Sequence, residues 1–231
     1  MLIAGVDPEG WAQQNRLARH NVLVAWGLHP WAVADKPQEC NHRLHLLESL
    51  LNNPPVGVSA LGETGLDHGQ RIDPSTFALQ AEAFRIQIRL ARQHNLPLVL
   101  HIVSAHQDAL KILRSETLPD NPGMVHAFNG NAELASQYLK LGLHISFCGT
   151  VVDPKRRKIR KAAATIPEER LLVETDSPDQ TPITRLPVPN EPAFLIDVIS
   201  AIADIRRDPA THVAKTTSRN AARLFCQHAH E

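Results

Sequence analysis

Four short apolar runs in this chain lead into side chains of the kind that bind metal ions. Residues 56–61 run into Gly62-Glu63-Thr64-Gly65-Leu66-Asp67, and residues 96–100 into His101. Residues 124–125 run into His126, and residues 171–173 into Glu174-Thr175-Asp176-Ser177-Pro178. Two imidazoles with two or three carboxylates form a mixed N/O donor set. Such a set suits Zn²⁺ or another first-row divalent ion, and carboxylate-rich variants admit Mn²⁺ or Mg²⁺. One or two such ions would acidify a bound water and polarise a phosphoryl or carbonyl oxygen. Each residue alone has a plainer explanation. A histidine at a strand end is commonly a hydrogen-bonded structural residue, and an Asp before Ser-Pro is a turn cap by type. Recurrence at the ends of four separate strands is what marks them as a set.

The elements that must position these residues alternate along the chain. Apolar runs occupy residues 2–6, 22–28, 56–61, 96–102, 124–128, 144–148 and 171–173. Their length and their Gly, Pro and Asp flanks favour buried parallel strands. Helices are expected between them. Asp73-Pro74 is a start signal for one that places Phe77, Ala81, Phe84, Ile88 and Ala91 on a single face. Asn131 caps another, which Gly142 ends. Pro192 opens a later one with a stripe of Phe194, Leu195, Val198, Ile202 and Ile205. This alternation means a parallel sheet, either doubly wound or closed into a barrel. An open sheet accommodates seven strands, whereas a (β/α)8 barrel has eight, and periodicity leaves the choice open. In a parallel barrel the C-terminal strand ends meet on one face, where such enzymes build their active sites.

Bulk properties narrow the classes. A chain of 231 residues with 43% apolar content fits one large α/β domain spanning residues 1–231. Lysine plus arginine number 24 and aspartate plus glutamate 24, so no global charge draws in nucleic acid or a membrane surface. Three separated cysteines, Cys40, Cys148 and Cys226, argue against a disulfide framework and for a reducing compartment. The N-terminus lacks a basic stretch of the signal-peptide kind, and no apolar run approaches the ~20 residues that span a bilayer. A soluble, cytoplasmic protein without a membrane or an obligate protein partner is expected. Among the thirteen histidines, His228 and His230 read as surface residues of the tail.

The motifs resemble, in order, the signatures of the TatD-type metal-dependent deoxyribonucleases, a family of amidohydrolase-like barrels. The resemblance rests on Gly62-Glu63-Thr64-Gly65-Leu66-Asp67, Leu100-His101, His126-Ala127-Phe128-Asn129-Gly130 and Glu174-Thr175-Asp176-Ser177-Pro178. Gly27-Leu28-His29-Pro30, Asn190-Glu191-Pro192 and Thr216-Thr217-Ser218-Arg219-Asn220 agree with it, so it covers essentially the whole chain. It implies that Glu63 bridges two metals, that His101 and His126 hold one of them, and that Asp176 ligates the other and takes a proton from the attacking water. It places His29 and Asp67 close by, in substrate-contacting or supporting roles. The implied substrate is DNA, and the implied reaction is phosphodiester hydrolysis by metal-activated water.

The pattern also breaks in places. Family members begin with a strand bearing His-x-His, yet residues 1–6 here match the second strand and no His-x-His occurs. His42 and His45 form only a His-x-x-His in a stretch that reads as helix. The implied fold is therefore a (β/α)8 TIM-type barrel lacking its first βα unit, with seven strands. The second metal keeps Glu63 and Asp176, fewer ligands than a closed site needs. The gap has three explanations: a start at an internal methionine, a partner chain, or a natural impaired derivative. The first is the expectation, because the surviving motifs are those of an intact catalyst. Val103 stands where relatives commonly carry an arginine, and His106 reads as a helix-surface residue rather than its replacement. Asp179 stands where many members have tyrosine.

Lys155-Arg156-Arg157-Lys158 is the one dense basic run. It is either a contact for a polyanionic backbone, with Lys155 and Arg156 at its head, or a solvated helix face. Trp26 reads as core, Trp31 as a candidate substrate contact, and Cys148 as a buried apolar residue. Two readings compete with the nuclease: an amidohydrolase-like enzyme acting on a different bond, and a catalytically impaired homologue that acts by interaction alone.

Overall fold

Apolar runs bounded by Gly, Pro and Asp become strands within a few residues of their expected limits. The computed structural model describes residues 1–19 and 21–226, so His228 and His230 lie outside the described residues. The strands are β1 (Leu2–Ala4), β2 (Leu23–Trp26), β3 (Val58–Asp67), β4 (Leu98–Val103), β5 (Gly123–Val125), β6 (His144–Phe147) and β7 (Leu171–Val173). Alternating with them are α1 (Pro8–Asn15), α2 (Pro30–Asp35), α3 (Cys40–Leu51), α4 (Phe77–Gln93) and α5 (His106–Ser115). Then come α6 (Ala132–Leu139), α7 (Arg157–Thr165), α8 (Leu195–Arg206) and α9 (Ala210–Phe225). The described chain groups into two compact units, Met1–Met124 with the segment from Leu224 onward, and Val125–Arg223.

In the first unit β1, β2, β3 and β4 pair in parallel and in sequence order. The run expected at residues 56–61 is longer than its apolar pattern suggests. β3 continues through Gly62, Thr64 and Gly65 to Asp67, pairing Gly65 with His101 and Asp67 with Val103. Glu63 therefore lies inside a strand, at the point where the register shifts between Gly62 and Thr64. These residues pair through their backbone, which needs no apolar side chain.

α4 packs against β3 with Gln80, Ala83, Phe84, Gln87, Ile88, Leu90 and Ala91 buried, whereas Phe77 and Ala81 are only half-buried. The buried face thus carries two amides that an apolar pattern does not predict. Gln87 Oε1 accepts the Leu28 N–H at 2.8 Å and its Nε2 donates to Leu28 O at 3.0 Å. Gln80 Oε1 accepts the Asp67 N–H at 2.9 Å. Trp26 is core as expected, stacked on Trp11 with ring centroids 5.7 Å apart. His42 and His45 sit exposed on α3. His106 differs from expectation: it opens α5 half-buried, and burial pushes its imidazole down to about 4.

In the second unit β6 and β7 are parallel, pairing Ile145 with Leu171 and Phe147 with Val173. Phe128 N–H donates to Ser146 O at 3.0 Å, and the Phe128 ring packs edge-on against Tyr138 and Phe147. Asn131 caps α6 by accepting the Leu134 N–H at 2.9 Å. The α8 stripe buries Val198, Ala201, Ile202 and Ala203. Asn220 of α9 donates to Glu168 O and Leu171 O at 2.8 and 2.9 Å, tying the helix to the start of β7.

Gln87→Leu keeps the bulk of the side chain but deprives the Leu28 N–H and C=O of their partner. Each unsatisfied group costs about 1–3 kcal/mol, so with two of them urea denaturation should show a loss of about 2–6 kcal/mol. A loss near zero would mean that the amide does not hold Leu28.

Candidate metal centre

The first unit brings four of the expected residues together. Gly27, directly after β2, lies so close to β3 that a Cβ there would be 2.6 Å from Glu63 O. The chain then passes through Leu28, held by Gln87, to His29, the N-cap of α2. His29 Nδ1 accepts the Trp31 N–H at 3.0 Å. In the neutral ring this leaves the proton on Nε2, which lies 3.4 Å from Glu63 Oε2. The Glu63 N–H in turn donates to Gly5 O at 2.7 Å.

His101 points one ring nitrogen at each of two carboxylates. Its Nε2 is 3.2 Å from Asp67 Oδ2 and its Nδ1 3.7 Å from Glu63 Oε2. Asp67 is buried and held on all sides: Oδ2 accepts the Trp31 indole N–H at 2.5 Å and Oδ1 the Gly69 N–H at 2.7 Å. This pattern assigns the neutral His101 proton to Nε2 and leaves Nδ1 as the ligating nitrogen, on the Glu63 side. Burial alone would raise the Asp67 pKa. The His101 hydrogen bond, the Gly69 N–H, the Trp31 indole and the His101 charge outweigh it and hold the carboxyl down at about 2. One ring or carboxylate atom from each of His29, Glu63 and His101 falls within 4.8 Å of the others. Glu63 and His101 Nδ1 have the chemistry to hold a divalent ion, whereas His29, with Nδ1 engaged by Trp31, turns an Nε2–H toward the same point.

The second unit presents His126, Glu174 and Asp176. His126 follows β5 and is buried. Its Nδ1 is 3.6 Å from Glu174 Oε1 and 3.8 Å from Asp176 Oδ1. Glu174 Oε1 accepts the Ala127 N–H at 2.5 Å and Oε2 accepts the Ser146 hydroxyl at 2.8 Å. Asp176 takes a left-handed backbone conformation with φ 62. Buried Asn190 steadies the surrounding loop, its Nδ2 donating to Thr175 O and Asp179 O at 2.6 Å each. Cys148 is buried; burial first, then the Glu174 charge, pushes its thiol up to about 11, which leaves it inert as a nucleophile.

Lys155, Arg156, Arg157 and Lys158 are exposed, and α7 buries Ile159, Ala162 and Ala163 on its other side. Arg156 lies 3.9 Å from Asp153. Val103 is 38% exposed at the end of β4, and Trp31 is 50% exposed beside His29 and His101. Sequence reasoning missed Gln80, Gln87 and the grip on Glu174. The only available signal for the last was its pairing with Asp176 two residues on.

Parallel strands alternating with helices, and strand-end histidines set against carboxylates, define a metal-dependent hydrolase on a TIM-type (β/α) barrel. The chain belongs to the TatD-related DNase family, which it matches over residues 1–226. It is 37% identical over 207 residues to the uncharacterised metal-dependent hydrolase YcfH of Escherichia coli K12, covering 90% of this chain and 75% of the relative. It is 33% identical over 234 residues to the 3'-5' ssDNA/RNA exonuclease TatD of Erwinia tasmaniensis, covering 97% and 87%. The crystal structure of YjjV, a TatD homologue from Escherichia coli K12, superposes with a TM-score of 0.90 at 30% identity, covering 97% of this chain and 85% of that one.

Asp67 supplies a pH test. Its folded pKa of about 2 lies below the unfolded value of about 3.9, so the stability it contributes is present above pH ~4 and is lost as pH falls through ~2. The stability gap between wild type and Asp67→Asn, read from urea midpoints, should be widest near neutrality and narrow across that window. A constant gap would show that the ionised carboxylate is not the source.

Proposed function

We propose that this hydrolase cleaves phosphodiester bonds in DNA with one or two divalent ions, Zn²⁺, Mg²⁺ or Mn²⁺. The observation that carries the reading is the convergence of Glu63 and His101 Nδ1, with the Nε2–H of His29 beside them, both histidines being held by hydrogen bonds. The relative named as a single-strand exonuclease supports nucleic acid as the substrate. Glu63 and His101 in the first unit, and His126 and Asp176 in the second, are the metal ligands in this reading. A bound divalent ion supplies a hydrolytic nucleophile at neutral pH by acidifying water. Asp176 accepts the proton from the attacking water, and Glu63 shares the charge of the ions. His29 offers an Nε2–H, a donor suited to an anionic phosphate oxygen, because its Nδ1 already accepts from Trp31. Asp67 acts through His101 and Trp31, since both its oxygens are engaged by protein donors. Lys155 and Arg156 meet the DNA backbone. Among the described residues no helix is long and apolar enough to cross a membrane, and three free thiols suit the cytoplasm.

Nuclease assays with each ion should show activity that EDTA removes. Glu63→Ala and Asp176→Ala should each lower it by about 10²–10⁴-fold. Activity that survives both substitutions ends this mechanism. Neutralising Lys155, Arg156 and Arg157 should weaken DNA binding and reduce the slope of log affinity against log salt by about 2–3. An unchanged slope would remove the basic run from the interface.

A further inference from the structure

We propose that Glu174 is the positioning residue for His126: its carboxylate fastens the end of β5 to β6 and aims the imidazole for metal binding. The inference rests on the reading of His126 as a ligand. Three contacts define the device. Oε1 accepts the N–H of Ala127, the residue directly after His126, at 2.5 Å. Oε2 accepts the hydroxyl of Ser146, buried in β6, at 2.8 Å. Oε1 also lies 3.6 Å from His126 Nδ1.

The backbone around Glu174 is anchored as well. Its N–H donates to Phe147 O at 3.0 Å, and Phe128 N–H donates to Ser146 O at 3.0 Å. The carboxylate therefore sits on a framework secured on both sides of Ser146. Ala127 needs this, because it holds a left-handed conformation, φ 43, that a residue with a Cβ adopts at a cost. Releasing the Ala127 N–H would free that turn and swing the His126 ring with it. Each Glu174 oxygen accepts a hydrogen bond from the protein, which fixes the carboxylate in place. It also places negative charge beside the imidazole, the arrangement by which a carboxylate orients a ligating histidine and raises its basicity.

The experiment titrates Mn²⁺ into the full chain by calorimetry for wild type, Glu174→Gln, Ser146→Ala and His126→Ala. Thermal melts and the ¹⁵N resonances of the His126 ring are recorded alongside. Glutamine preserves both hydrogen bonds, its carbonyl accepting from Ala127 and its amide donating to Ser146, but removes the charge. Glu174→Gln should weaken Mn²⁺ binding by about 10–100-fold and shift the His126 resonances. Its melting temperature should stay within about 2 °C of wild type. Ser146→Ala should weaken binding less, in the same direction. Wild-type affinity in Glu174→Gln overturns the proposal, as does a drop in melting temperature of more than about 5 °C, which would make the contact merely structural. His126→Ala separates the two readings. If it binds Mn²⁺ as wild type does, the ligand assignment itself is wrong. If it loses binding while Glu174→Gln does not, only the positioning role fails.

Discussion

A neutral imidazole can accept at one ring nitrogen only, and in this chain hydrogen bonds decide which. Asp67 claims Nε2 of His101 and the Trp31 N–H claims Nδ1 of His29. The ligating or donating capacity of each ring is thereby set before any substrate or ion is present. That arrangement requires the carboxylate to be held as firmly as the ring. Asp67 is held by an indole and a backbone amide, and Glu174 by a backbone amide and a hydroxyl. The two units thus use the same physical economy. A charge is kept half-buried or buried by pointing N–H and O–H dipoles at it, which offsets the loss of water.

The supports reach back into the helical layer of the first unit. Gln87 and Gln80 occupy positions on α4 that an amphipathic helix would give to apolar side chains. Each reaches the backbone at or next to a functional residue, Leu28 before His29 and Asp67 itself. Burying an amide among apolar neighbours is costly unless every polar atom finds a partner. Here the partners are backbone groups that the ends of β2 and β3 leave unpaired. Packing and site geometry are therefore carried by the same helix face.

Much of this was legible in the sequence. Buried parallel strands read as unbroken apolar runs, so β2, β4, β6 and β7 were visible within a residue or two, as were Asn131 as a cap and Trp26 as core. The second half of β3 was not. Gly62, Thr64, Gly65 and Asp67 pair through their backbone and show no apolar period, so Glu63 read as lying beyond a strand that in fact contains it. Of the expected α4 stripe, Phe84, Ile88 and Ala91 are buried and Phe77 and Ala81 half-buried, while Gln80 and Gln87 pass as solvent residues by type. His29, Glu63, His101, His126 and Asp176 stood out by chemistry and family resemblance. The His101 proton position and the grip on Glu174 depend on contacts between residues 28 to 47 positions apart, as in His101–Asp67, Ser146–Glu174 and Ala127–Glu174, which no local pattern encodes.

The chain has three tryptophans, and they stand in very different surroundings. Trp11 and Trp26 are stacked together in the interior, whereas Trp31 is half in water with its indole N–H on Asp67. Solvent-dependent emission from this protein therefore originates at one ring, whose hydrogen bond ends on the carboxylate that orients His101. The fold carries its own optical probe of that histidine's surroundings, sensitive to anything that disturbs the carboxylate or covers the indole.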